Sequence, residues 1–257
     1  MTMDLDLTGK SVLITGGSKG IGLACATVFL QEGCSVVLVS RDAAVLETAA
    51  ASLKHLGPVA TCAADLSQGS ERERLHSLHP DVDILVNNAG AIPGGGLLDL
   101  TMERWTEAWS LKVMGYIHLT QLYLGAMKAR SAGTIVNIIG AAGRSPRYDY
   151  LCGATGNAAL MAFTSAVGGK SGDWGVRCFG INPAATRTDR MITLARTKAK
   201  TAYGDESRWE ETLKGLPLGR AIDPLEIARS AAFLASPACG YVNGTVLDVD
   251  GGMAFRG

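Results

Sequence analysis

The chain has 257 residues, 47% of them apolar and 19% charged, with 24 basic side chains balancing 24 acidic ones. That composition supports a sizeable buried core, and the lack of any basic block argues against nucleic acid or a membrane surface as a partner. No apolar run approaches the ~18 residues of a membrane span, and the start MTMDLDLTGK has no apolar core of a signal peptide. Six scattered cysteines (Cys25, Cys34, Cys62, Cys152, Cys178, Cys239) form no C-x-x-C pair. This predicts no metal site, no disulfide framework, and reduced thiols in a cytoplasm.

In chain order, runs rich in Val and Ile recur at 11–15, 35–40, 58–63, 82–86, 133–139, 176–181 and 245–249. They are nearly continuous rather than alternating, as expected of strands buried on both faces of a parallel sheet. Helix-like stretches lie between them at 20–32, 42–54, 101–129, 154–170 and 224–236. Regular alternation of strand and helix predicts an α/β fold: one doubly wound, seven-stranded parallel sheet of the Rossmann type with helices on both faces. With no linker or repeat, 1–257 reads as a single dinucleotide-binding domain. The segment 186–215 interrupts the alternation where such sheets bind ligands. It reads as a substrate flap, or as a solvated helical pair.

The first strand runs into TGGSKGIG, Thr15 to Gly22. Gly16 allows a sharp turn, Gly20 lets backbone amides near Ser18, Lys19 and Ile21 approach a pyrophosphate, and Gly22 permits close packing of helix on strand. The positive end of the following helix favours phosphate. Further on come Asp65 and Leu66 in CAADLS, NNAG at 87–90, LPLGR at 216–220 and VLDVDGG at 246–252. In order and spacing these resemble the short-chain dehydrogenase/reductase family over essentially the whole chain.

The resemblance implies a nicotinamide cofactor, a homotetramer or homodimer, and hydride transfer to or from the carbonyl or alcohol carbon of a small molecule. It would place Asp65 and Leu66 at the adenine and Asn87, Asn88, Ala89 and Gly90 along the cofactor. By themselves, Asp65 could cap the next helix and NNAG could be a turn. NPAATRT at 182–188 resembles the family's Pro-Gly-x-x-x-Thr segment, with Ala184 in place of Gly. Pro183 and Thr188 would then neighbour the nicotinamide carboxamide. The second strand ends in Ser40 and Arg41 rather than an acidic residue. A guanidinium offers paired donors for a 2′-phosphate, and Lys19 adds a second positive charge, so NADP(H) is expected over NAD(H).

Hydride transfer to a carbonyl also needs a proton at the forming alkoxide. The family supplies it with Tyr-x-x-x-Lys on one helical face, aided by a serine and an asparagine. Aligned from the cofactor motifs, the serine falls at Gly140, the tyrosine at Gly153, the lysine at Asn157 and the asparagine at Lys112. Lysine and asparagine are thus exchanged, and Lys112 and Asn157 become the candidate polar pair, unless Lys112 merely reaches solvent or a carbonyl. Tyr150 is the candidate substitute proton donor, with Tyr148, Cys152 and Ser145 as weaker ones. The basic run Arg187, Arg190, Arg196, Lys198 and Lys200, beside Asp189, would either meet an anionic group on a substrate or form a solvated helix face. Three functions therefore stand: an NADP(H)-dependent oxidoreductase with a rearranged proton donor, an NADP(H)-binding protein without turnover, and a non-redox isomerase or lyase.

Overall fold

All seven Val- and Ile-rich runs form strands in the structure, a computed structural model that describes residues 4–256, the Lys198 side chain excepted. They are β1 (Ser11–Thr15), β2 (Ser35–Ser40), β3 (Val59–Ala63), β4 (Ile84–Asn87), β5 (Gly133–Ile138), β6 (Val176–Pro183) and β7 (Val246–Val249). All pair in parallel, in the order β3-β2-β1-β4-β5-β6-β7. Strand order reverses between β1 and β4, so a crevice opens at their carboxyl ends.

Continuous apolar strands arise because both faces are covered. Val12 and Ile14 point into a core with Phe29, Leu46 and Ile227, while Leu13 between them packs with Leu75, Leu119 and Tyr123 on the other face. Successive side chains on a strand face opposite ways, which is why no polar alternation is visible. The covering helices are α1 (Gly20–Gln31), α2 (Ala43–Leu53), α3 (Gly69–Leu78), α4 (Met102–Leu111), α5 (Val113–Ala129), α6 (Leu151–Ser171), α7 (Asp189–Tyr203) and α8 (Pro224–Ala235).

Local chemistry sets the helix ends. Asp223 caps α8 through Leu225 N, with Pro224 in the first turn and Glu226 completing a capping box. At the other end of α8, the Arg177 guanidinium donates to the carbonyls of Leu234, Ala235, Ser236 and Cys239. This satisfies acceptors that a helix terminus leaves open.

Three expectations are refined. The stretch 101–129 is two helices meeting at Lys112, although Lys112 keeps the helical bonds to Ala108 O and from Tyr116 N. Helix α3 has no counterpart in the apolar pattern, because GSERERLHSL buries only Arg72 and Leu75. Helix α6 begins at Leu151, which places Gly153 in its first turn and Tyr150 at its N-cap. All six cysteines are free, and five of them are buried. Among the described residues no helix is long and apolar enough to cross a membrane, and no cluster of metal-ligating side chains occurs.

Candidate active site

The exits of β1 and β4 are tied together around Thr15. Its hydroxyl accepts from the amides of Asn88 (2.8 Å) and Ala89 (3.0 Å), and Asn88 Nδ2 donates to the carbonyls of Thr15 (3.0 Å) and Gly16 (3.2 Å). Thr15 went unrecognised in the sequence because its neighbouring glycines carry the motif. A Cβ on Gly22 would collide with the Gly16 carbonyl oxygen and stand 2.6 Å from Asn88 Nδ2, so only glycine fits this close approach. Helix α1 has neither a capping side chain nor an acidic residue in its first turn. Its free amides, beside a cleft of about 570 Å³ lined by Gly16, Lys19, Gly20 and Ile21, fit a pyrophosphate.

Asn88, Ala89, Gly90, Pro183 and Thr188 line the same cleft, and the Thr188 hydroxyl caps α7 by accepting from Met191 N. Ser18, Arg41, Asp65 and Leu66 do not line it. Arg41 and Lys19 are exposed at the ends of β2 and of the glycine turn, and among the described residues neither side chain has a hydrogen bond or ion pair. Asp65 accepts from the amide (3.1 Å) and hydroxyl (2.8 Å) of Ser67, closing a turn ahead of α3, and Leu66 is buried. The expectation for Asn87 is corrected. Being the last residue of β4, it points to the opposite side from Asn88, into the core, where its amide donates to Asn137 Oδ1 (2.9 Å) and Thr120 Oγ1 (3.3 Å).

At the exit of β5, two donors from different helices meet consecutive carbonyls. Lys112 Nζ donates to Ile139 O at 2.5 Å, and Asn157 Nδ2 to Gly140 O at 3.3 Å. A Cβ on Gly140 would stand 2.8 Å from that amide nitrogen, so glycine makes room for Asn157. Asn157 Oδ1 is buried without a partner. Burial, with the Arg190 charge adding to it, lowers the Lys112 ammonium to about 8. Unfolded lysine holds its proton to about 10.5, so between pH 8 and 10.5 the unfolded chain binds more protons and stability rises with pH. Denaturant unfolding across that window should show the rise in wild type, and Lys112→Met should lack it.

The Tyr150 backbone is held on both sides: Gly95 N donates to Asp149 O (2.8 Å) and Leu151 N to Gly95 O (3.2 Å). Its ring then lies where a side chain at 153 would begin. A Cβ on Gly153 would overlap ring carbons Cε1 and Cζ and stand 2.7 Å from the hydroxyl. Burial pushes the phenol up, while Arg190 pulls it down. Tyr150, Lys112 and Gly140 line both the glycine-motif cleft and a second cavity of about 570 Å³, which Asn157 also borders and which is otherwise mostly apolar, with Ala142, Leu216 and Met253.

The weaker candidates separate by geometry. Tyr148 packs over Gly96, is 64% exposed and lines neither cavity. Cys152 is fully buried and burial raises its thiol, while Ser145 borders the second cavity. The segment 186–215 forms α7 and a 3-10 stretch at 206–213. Of the described side chains of its basic run, only Arg190 reaches either cavity, lining the glycine-motif cleft, and Nη2 donates to Ile92 O. Arg187 borders a separate groove and Arg196 and Lys200 line neither cavity. The Lys198 side chain lies outside the described residues.

Residues 10–199 match the family described as short chain dehydrogenase. The chain belongs to that family. This short-chain dehydrogenase is 31% identical over 274 residues to 3-oxoacyl-(acyl-carrier-protein) reductase of Chlamydia pneumoniae, covering 98% of this chain and 100% of the relative. Its fold superposes on L-sorbose reductase from Gluconobacter frateurii, solved with NADPH and L-sorbose, with a TM-score of 0.91, 31% identity and coverage of 99% and 100%. A 7α-hydroxysteroid dehydrogenase solved with NADH aligns with a TM-score of 0.86, 29% identity and 98% coverage of each chain. Membership makes this protein a nicotinamide-binding oxidoreductase of the short-chain type.

Proposed function

We propose that the protein is an NADP(H)-dependent carbonyl reductase or alcohol dehydrogenase whose proton donor has moved from position 153 to Tyr150. The four residues the family uses stand here as Gly140, Gly153, Asn157 and Lys112. The observation that carries the reading is the seat of the Tyr150 ring over Gly153, with its hydroxyl 2.7 Å from the point where the missing side chain would start. Bound NADPH supplies the hydride. A small carbonyl compound occupies the second cavity, and Tyr150 donates the proton to its oxygen as that oxygen gains charge. Lys112, fixed on Ile139 O, stabilises the same charge, and Asn157 holds the β5 exit that shapes the pocket.

NADP(H) is favoured because Arg41 and Lys19 stand uncommitted at the adenosine end, ready for a 2′-phosphate. Arg41→Asp is expected to shift the ratio of NADPH to NADH affinity at least ~10-fold toward NADH. A titration of both cofactors checks this, and an unchanged ratio would remove the argument. The β7 edge with its exposed Leu247 suits a homodimer or homotetramer, and the free buried thiols suit a reducing cytoplasm.

The function itself is tested by titrating NADPH onto the chain and following nicotinamide absorbance with a panel of ketones, aldehydes and acyl thioesters. Consumption with at least one class supports the proposal. Tight binding with no consumption across the panel would favour a cofactor-binding protein without turnover.

A further inference from the structure

A phenol that gives up a proton needs a positive charge nearby to hold the phenolate, and helix α6 does not provide one. Its only basic residue is Lys170 in the last turn, ion-paired with Asp173 at 2.7 Å. Position 157, one turn beyond Gly153, is an asparagine committed to Gly140 O. Lys112 reaches the cavity from another helix, and its ammonium is held on Ile139 O at the β5 exit.

A further cation comes from the flap. Arg190 lies in the first turn of α7 and donates across the cleft to Ile92 O, joining residues 98 positions apart. Ile92 is buried in the small apolar cluster of Ala108 and Cys152, against which Tyr150, Trp105 and Trp109 pack. The carbonyl that anchors the guanidinium therefore belongs to a residue of the cluster against which Tyr150 packs. Arg190, Tyr150 and Lys112 line one cleft.

We infer that Arg190 is the positioning cation for Tyr150, so that seating the root of the flap on Ile92 is what readies the phenol for proton transfer. This rests on the reading of Tyr150 as proton donor. The other groups around the phenol leave the role open. Arg147 and Asp149 on its own loop pair with each other, Asp99 accepts from Gly96 N at 2.7 Å, and the Cys152 thiol on α6 is buried and raised. Asp189 is next to Arg190 on α7 and borders the cleft. Burial drives the phenol up, and the guanidinium is what opposes it. The same charge repels the Lys112 ammonium, so neutralising Arg190 should raise both groups together.

The test reads the phenol directly and needs no turnover. Ring-carbon NMR of isotope-labelled tyrosine, with Tyr150→Phe assigning the resonance, gives the Tyr150 titration in the full chain. Arg190→Gln keeps an amide donor for Ile92 O while removing the charge. It is expected to raise the Tyr150 pKa by about one unit or more, and Arg190→Lys to restore most of the shift. A Tyr150 titration unchanged in Arg190→Gln would overturn the inference, whatever the variant's stability. Failure of the underlying reading looks different: Tyr150→Phe would then reduce carbonyls at the wild-type rate while the Arg190 shift persisted.

Discussion

Tyr150→Phe is expected to lower kcat for carbonyl reduction by about 10²–10⁴-fold, the usual worth of a positioned proton donor. NADPH affinity should stay within about twofold, because on the proposed reading the amides of α1 and the Asn88–Gly90 turn would hold the cofactor without the phenol. The ring packs against the cluster of Ile92, Ala108 and Cys152, and phenylalanine keeps that packing. Loss of rate therefore reports on the hydroxyl and not on collapse of the pocket. Steady-state rates beside a cofactor titration check it. A variant that loses affinity and rate in equal measure would place Tyr150 in binding instead.

Gly153→Ala is expected to lower stability by about 1–3 kcal/mol, the range for overpacking a filled site. The sign is diagnostic. In an open helix position, alanine is better than glycine by roughly 1 kcal/mol. At 153, however, the added methyl would overlap Cε1 and Cζ of Tyr150. Because Gly95 fixes the backbone on both sides of Tyr150, the ring has to turn away and its hydroxyl leaves the cavity. The same substitution made on a Tyr150→Ala background should become neutral or stabilising. Denaturant unfolding of the four proteins gives that coupling directly.

Much of this architecture was legible because its physics is local or periodic. Strands buried on both faces read as unbroken Val and Ile runs, and the glycine turn between β1 and α1 carries its own spacing. Helix α3 escaped because its inner face is one leucine and the stem of an arginine, too little apolar signal to find. Asn87 and Asn88 show the limit of motif reading. One motif contains both, but strand alternation sends Asn87 to a buried amide network and Asn88 to the cleft.

At the chemical end, the sequence shows glycine at 140 and 153 and a tyrosine three residues before the second. How they join is not legible there. That depends on the Gly95 bridge, formed across more than fifty residues, and on the room glycine leaves for a ring three positions earlier. Arg190 was visible only as one of several basic residues in 186–215. Its distinction is a hydrogen bond to Ile92 O, a contact that no sequence spacing announces.

The most direct measurement is single-turnover oxidation of bound NADPH by an accepted carbonyl, followed by stopped flow in wild type, Tyr150→Phe, Gly153→Ala and the double variant. If the phenol seated on Gly153 delivers the proton, both single variants are slow and the double is no slower than Tyr150→Phe, since the two changes remove one group. Rates in Tyr150→Phe equal to wild type, or losses in the two single variants that multiply in the double, would contradict it.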